Sequence, residues 1–342
     1  MREIVATIML LVVYLERIVY FCKMKSTLEN MTCIHSAKDL ITSHEQTRTG
    51  FIEAAMAKNI KAKPYIEQAK TLKSIAQTVK SPTDLIDKKE IYSALLSAAG
   101  LSDKSFKYFT DEDKEVAIRE LIDKFLVPAG DSFADELVYR FLLIKGDSLG
   151  GSMRNYVGTV AQMKLVRKIL SVLSIQSIDY KVLMHDGKRW REENYETAFE
   201  MAENIKGIVW KQGEDSRLLL LNAKIPIVNN NVDLSLFDGD EAAFDGGRIV
   251  QHDELALMFG ELKGGVDPAG ADEHWKTGNT ALERIRNAFP NRGIKTSFIA
   301  ACIEAKMAEE IFAQLENNTL SKAANMSVDE QLTEYSQWLI AL

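Results

Sequence analysis

Glu261 and Lys263 stand two positions apart in the stretch LALMFGELKGGVDPAGADEH, Leu255 to His274. The stretch opens as a strand: Leu255, Leu257 and Phe259 alternate with other residues, and the apolar density suits burial on both faces. Residues two apart on a strand point to the same side. A carboxylate and an ammonium are therefore expected side by side. Gly264 and Gly265 follow, where backbone can approach a ligand closely. Asp267, Asp272, Glu273 and His274 then read as a polar loop. Such a set suits a metal ion and a phosphate.

Hydrolysis of a phosphodiester needs a bound divalent metal, a deprotonated water and a cation for the developing charge. Hard metals such as magnesium take oxygen ligands, few of them from protein. Glu261 is one candidate ligand. For a second, Asp233 lies in NNNVDLSLFDGDE, where Val232, Leu234 and Leu236 surround it like a short strand. Asp238, Asp240 and Glu241 are rivals in a glycine-containing loop. Lys263 would sit near the attacking water and the phosphate, offsetting charge there. His274, among acids and beside Trp275, could act as a general base for water or contact a phosphate or a base. The plain alternatives are a surface histidine and a salt bridge at a strand edge. Glu-x-Lys also recurs, at Glu112–Lys114 on a helix start and at Glu304–Lys306 after the apolar strand Ile294 to Ile303.

These residues must be positioned by a sheet, and the chain changes character to supply one. From Ser36 to about Leu173 it reads as helices. Ser43 to Lys58 is periodic, Pro64 opens a further helix towards Val79, and Ser81-Pro82-Thr83-Asp84 and Thr110 to Asp113 are helix starts. Gly100 is a stop, and a helix from Asp131 or Ser132 ends at Gly146. After Ser174, strands are expected at Asp179 to Met184, Gly207 to Trp210, Leu218 to Leu221, Ile225 to Val228, Leu255 to Val266 and Ile294 to Ile303. Helices are expected at Thr277 to Phe289, Ala305 to Glu316 and Val328 to Leu342. The fold class is α/β or α+β, a mixed sheet flanked by helices with a helical domain attached. With 342 residues, one large or two modest domains are expected, dividing near Gln176.

A net charge of −7 argues against a protein that coats nucleic acid nonspecifically, but not against one with a local basic cleft. Two stretches of the helical half bear on that. Lys58, Lys61, Lys63, Lys70, Lys73 and Lys80 face one acid, Glu67. They read as a solvated helix face or a phosphate-tracking surface. In GDSLGGSMRN, three glycines precede a helix from about Ser152, an arrangement whose backbone amides hold phosphate, with Arg154 and Asn155 as donors to DNA. The plain reading there is a turn between helices. Cys22, Cys33 and Cys302 fit neither a disulfide framework nor a zinc site, so a reducing cytoplasmic setting is expected. Ile4 to Leu15 is apolar but interrupted by Glu16 and Arg17 before a membrane is spanned. A signal peptide is the alternative, but no small-x-small cleavage site follows closely, so residues 1–30 are expected to be a non-native or disordered extension, with translation starting at Met24 or Met31.

Asp233, then Glu261-Leu262-Lys263, then Asp267 and His274, with their spacing, resemble type II restriction endonucleases of the AvaI/BsoBI family. ITSHEQTRTGFIEAA and GDSLGGSMRN add to the resemblance, which covers the chain from about residue 36. It implies a PD-(D/E)xK nuclease core, residues 176–342, with a mainly helical DNA-binding region, residues 31–175. It also implies that Asp233, Glu261 and the backbone carbonyl of Leu262 bind Mg2+, that Lys263 is the catalytic lysine and that His274 activates the water. Asp267 would contact bases, and Lys104 in LSDKSF is the candidate for a base-contacting lysine. The implied substrate is double-stranded DNA at CYCGRG, cut to leave 5′ overhangs. The implied partners are a second copy, in a homodimer around the duplex, and a companion methyltransferase. One departure is Val232, where the motif has proline before its first acid. The alternatives are a nuclease of the same core with another specificity, and a non-catalytic DNA-binding protein.

Overall fold

The computed structural model describes residues 33–186, 189–290 and 292–342. The expectations for residues 1–30, for a start at Met24 or Met31 and for Cys22 lie outside the described residues. The chain forms two compact units, residues 52–156 and residues 33–51 with 157–342.

The helical half comprises α1 (Ala37–Leu40), α2 (His44–Ala76), α3 (Tyr92–Ala98), α4 (Asp111–Leu121) and α5 (Phe133–Ile175). Local chemistry sets several of these ends. Thr110 Oγ1 accepts from the Asp113 amide, and the Asp113 carboxylate accepts from the Thr110 amide at 2.9 Å. This reciprocal box satisfies two amides that α4 leaves free. Ser81 and Asp84 do the same for a 3-10 turn at Pro82–Asp87. Gly100, at φ +100°, turns the chain after α3.

Two expectations fail here. Pro64 does not open a helix but lies inside α2, exposed, where water can reach the carbonyl that its missing N–H leaves unpaired. Gly146, Gly150 and Gly151 do not form a turn either: α5 runs through them. No phosphate-binding loop exists there, because backbone amides inside a helix are already bonded to carbonyls one turn back. Leu149, Met153, Ala161 and Leu165 are buried at multiples of four residues, and that stripe outweighs the cost of about 1 kcal/mol for each helical glycine.

The second unit is built on an eight-stranded sheet in the order β2-β1-β3-β4-β5-β6-β7-β8. Its strands are β1 (Tyr180–Met184), β2 (Trp190–Arg191), β3 (Ile205–Gln212), β4 (Asp215–Ile225), β5 (Asn230–Asp238), β6 (Ala256–Lys263), β7 (Lys295–Ala300) and β8 (Lys322–Asn325). The expected strand over Ile225 to Val228 is instead the end of β4 and a turn that Asn229, at φ +54°, helps to close. Pairing is antiparallel from β2 to β6 and parallel from β6 to β8. Intervening helices are α6 (Tyr195–Glu200), α7 (Glu241–Phe244), α8 (Pro268–Ala288), α9 (Ala305–Glu316) and α10 (Asp329–Ala341).

Period-two alternation sends each strand's apolar residues to two cores. Leu218, Leu220, Phe237, Phe259 and Phe298 pack with Trp275, Leu282 and Ile285 of α8 and Ile311 of α9. Leu219, Leu221, Leu234, Met258 and Ile299 pack on the other face with Leu165 and Ile169 of α5 and Tyr335 and Leu339 of α10. The result is a helix–sheet–helix sandwich, the mixed sheet flanked by helices that was expected.

Residues 33–42 are tied to this sandwich by polar bonds. Asn325 Nδ2 donates to the Leu40 carbonyl at 3.0 Å, and Gln331 Nε2 to the Asp39 carbonyl at 2.6 Å. The Cys33 amide donates to Glu334 Oε2 at 2.8 Å, and the other oxygen of that carboxylate pairs with Lys322, whose side chain is only 4% exposed. Removing one member of a buried ion pair strands the other charge. Lys322→Met is expected to lower unfolding free energy by about 3 kcal/mol. Pairing it with Glu334→Leu should recover much of the loss, and urea midpoints of the three proteins measure this.

Candidate active site

Asp233, Ser235 and Phe237 share one face of β5, and Phe259, Glu261 and Lys263 share the same face of β6. Each row runs from aromatic core to charge at the strand end. The antiparallel ladder ends on the pair Leu234 and Gly260. One step further places Asp233 opposite Glu261, where side chains of adjacent strands approach most closely. The 233 and 261 carboxylates are thus brought together although 28 positions of chain separate them.

Lys263 Nζ donates to Glu261 Oε2 at 2.7 Å and stands 3.9 Å from Asp233 Oδ2. The Leu262 amide donates to Asp233 Oδ2 at 2.8 Å. Glu261 is buried, and Asp233 is 28% exposed at its side chain. Burial pushes the Glu261 carboxyl up to about 7, with the Asp233 charge adding to the effect and Lys263 and Arg284 opposing it. Burial also raises Asp233, against the Leu262 amide and Lys263. This arrangement is not a strand-edge salt bridge. β6 lies inside the sheet, and one lysine faces two crowded carboxylates. The rival Glu304 stands at the N-cap position of α9, off any strand, and is exposed with Lys306.

A divalent metal fits this donor set. Two opposed carboxylates, both resisting ionisation, would be relieved by a doubly charged cation. No group of three or more histidine, cysteine or acidic side chains is gathered for a metal among the described residues. The Lys263 carbonyl accepts from the Ala301 amide on the β7 side. Peptide groups alternate along a strand, so those of Leu262 face Asp233, the side from which its carbonyl could join a metal.

The segment after β6 is not a polar loop. Asp267 caps α8, accepting from the Ala269 amide at 3.0 Å, and Pro268 takes the first helical position. Asp272, Glu273 and His274 are therefore helical, and α8 begins nine residues before the expected Thr277. The glycines serve packing within the protein rather than a ligand. A Cβ at Gly264 would lie 2.6 Å from the Val157 carbonyl oxygen, and one at Gly265 would overlap His274 Nε2. Gly278 seats α8 on the sheet: a Cβ there would lie 2.6 Å from the Phe298 ring and 3.5 Å from Lys263 Cε.

The site opens into a cleft of about 580 Å³. Asn230, Asn231 and Asp233 form one wall, Glu261 and Lys263 the floor, and Glu273, Lys276, Thr277, Thr280, Ala281 and Arg284 of α8 the other wall. His274 is half-buried against Gly265 and is not among the lining residues. Sequence reasoning missed the α8 wall. Its signal was present: positions 273, 276, 277, 280 and 284 are polar, opposite the buried Ala271, Trp275, Gly278, Leu282 and Ile285. Starting the helix at Thr277 concealed it.

The remaining candidates lie in residues 52–156. Lys104 and Asn155 are exposed, and Asn155 and Arg154 lie within α5 rather than at a helix start; the Arg154 side chain is outside the described part of the structure. The lysines from 58 to 73 stand on α2, where Lys70 pairs with Glu67, Lys73 with Asp135, and Lys61 lies over the Tyr156 ring. Cys33 and Cys302 form no disulfide, and no described helix is long and apolar enough to cross a membrane.

The raised Glu261 pKa has a consequence for stability. Between its ordinary 4.5 and about 7, folded metal-free protein holds a proton that the unfolded chain has released. This contribution to stability is full below 4.5 and is lost as pH rises towards 7. Glu261→Gln is expected to flatten that part of the stability–pH curve and to stabilise the metal-free protein at pH 8. Urea midpoints at pH 5 and pH 8 test both points, and parallel curves for the two proteins would contradict the assignment.

Residues 31–342 match the family model described as "Restriction endonuclease BsobI". The chain is 46% identical over 311 residues to the type II restriction enzyme BsoBI of Geobacillus stearothermophilus, covering 90% of this chain and 96% of that one. It is 42% identical over 312 residues to the type II restriction enzyme AvaI of a Nostoc species and to that of Anabaena variabilis, covering 90% of this chain and 98% of theirs. With a mixed sheet between helices and paired carboxylates beside a lysine, the chain belongs to the BsobI family of type II restriction endonucleases.

Proposed function

We propose that this protein hydrolyses double-stranded DNA at the degenerate palindrome CYCGRG, with Mg2+, leaving 5′ overhangs. The observation that carries the chemistry is the opposed Asp233 and Glu261 with Lys263 bonded to Glu261 and 3.9 Å from Asp233. Family membership supports the endonuclease activity, and the resemblance at Asp267 and His274 supports the site.

Asp233, Glu261 and the Leu262 carbonyl would hold Mg2+. When bound, the ion would polarise the phosphate and acidify a water. Lys263 offers its ammonium to the charge that builds on the phosphate, from a place already fixed beside the carboxylates. Glu261 orients that ammonium through their hydrogen bond. His274 is assigned the proton taken from the water. Its place behind Gly265 rather than on the cleft wall makes this role separable by experiment from the others.

Asp267 is the proposed acceptor for a cytosine amino group, at the exposed start of α8. Lys104, Arg154 and Asn155 are the proposed DNA contacts of a helical DNA-binding region, residues 31–175, and residues 176–342 are the proposed nuclease core. A palindrome is read by a twofold dimer, so a homodimer with two active sites is proposed. A companion methyltransferase would protect the host's own sites, and a reducing cytoplasm suits three cysteines whose spacing fits neither a disulfide framework nor a zinc site.

A plasmid digest in Mg2+, with the fragment ends sequenced, tests this reading. Discrete fragments ending in CYCGRG are expected. Lys263→Ala should reduce cleavage by about 10² to 10³, as loss of one preorganised charge does. Mg2+ should raise the melting temperature of wild type but not of Asp233→Asn. Full activity of His274→Ala would remove the histidine from the mechanism and leave the rest standing. An intact plasmid bearing the site, incubated with folded protein and several metals, would overturn the endonuclease reading.

A further inference from the structure

We propose that Arg284 grips a backbone phosphate of the DNA strand being cut, next to the phosphate that Lys263 addresses. This inference rests on the endonuclease reading above. Lys263, Lys276 and Arg284 are the cations among the residues lining the cleft. Two of them are already engaged: Lys263 with Glu261 at 2.7 Å, and Lys276 with Asp272 at 2.5 Å. Among the described residues, Arg284 has no hydrogen bond or ion pair, and it is exposed. It nevertheless stands close enough to the floor for its charge to oppose the raised pKa of Glu261.

The wall holds this side chain in a defined place. Thr277, Thr280, Ala281 and Arg284 are spaced three, four and seven apart, so they share one helix face. Gly278, on the opposite, buried side, seats the helix that carries this face, since its missing side chain lets α8 sit against Phe298 and the Lys263 stem. Arg284 follows six residues later, about 9 Å along the axis at 1.5 Å per residue. The small Ala281 stands one turn before it and leaves room for the arginine to lie back along the wall. The facing wall carries Asn230 and Asn231, which are neutral.

The chemistry selects a phosphate as the ligand. Asp233, Glu261 and Glu273 repel a phosphodiester entering the cleft. An unpaired guanidinium offsets that repulsion and matches two phosphate oxygens with parallel N–H groups. Its contact is with a spectator phosphate, so it should act mainly on binding.

The test uses wild type, Arg284→Ala and Arg284→Lys with a duplex that wild type cleaves. Binding is measured by fluorescence anisotropy in Ca2+ over a series of salt concentrations, and steady-state cleavage in Mg2+. Arg284→Ala should bind about tenfold more weakly or worse. Its plot of log affinity against log salt should be shallower by about 0.9 for each guanidinium lost. KM should rise while kcat changes by less than about threefold, as expected when uniform binding is lost. Arg284→Lys should restore the slope but not the full affinity. Its melting temperature, and that of Arg284→Ala, should match wild type. Unchanged affinity and slope in Arg284→Ala, beside an active wild type, would overturn this inference alone. Lower kcat with unchanged affinity would also overturn it, by placing Arg284 at the chemistry. A wild type that cleaves no duplex would instead sink the endonuclease reading, and this inference with it.

Discussion

Two negative charges on directly opposed positions of neighbouring strands repel each other, and β5 and β6 hold Asp233 and Glu261 in that relation. The register of the sheet permits no relaxation, because a slip of one residue would turn Phe237 and Phe259 out of the core. Hydrophobic packing therefore keeps the carboxylates together against their repulsion. The cost is visible in the raised pKa of both acids. Lys263, with a smaller contribution from Arg284, offsets part of it, leaving a site with an unmet demand for positive charge.

The surrounding structure preserves this tension. Gly260 lies beside Glu261 with Ser297 Oγ so close that any side chain there would overlap it. That hydroxyl is bonded to Tyr335 on the face away from the cleft. The α8 helix is brought down on the near face at Gly278, and Trp275, one turn earlier, packs edge-on against Phe298 and donates to Glu310 at 2.7 Å. Buried aromatic contacts thus fix the helix whose exposed side walls the cleft. Rigid placement of this kind is what a reaction driven by electrostatic preorganisation requires.

The chain's acidity is compatible with a DNA substrate because charge acts locally. A net charge of −7 is an average over 342 residues, and most lysines and arginines near the cleft have a protein carboxylate as partner. Such pairs contribute little to attracting a polyanion. An unpaired cation beside the floor, together with a metal, contributes much more. The same logic separates the lysines of α2: Lys70 and Lys73 are paired, and counting lysines in the sequence does not reveal that.

Residue type and spacing alone made the Glu261–Lys263 pair and the strand bearing Asp233 legible. Glu261 and Lys263, two apart in an apolar run, had to share a strand face, because the pleat has period two. Asp233 between Val232 and Leu234 had to lie on a strand for the same reason. The α9 helix, Ala305 to Glu316, was legible to its ends from its own periodicity. Tertiary structure decided the rest. Only the ladder between β5 and β6 could place Asp233, rather than Asp238 or Asp240, opposite Glu261. Only packing could carry α5 through Gly146 to Gly151, since local propensity favours a stop there and a buried stripe overrides it. And only the seating of α8 on Phe298 could turn Thr277, Thr280 and Arg284 into a wall of the site. A helix's period says which residues share a face, but what that face meets is set by contacts far apart in the chain.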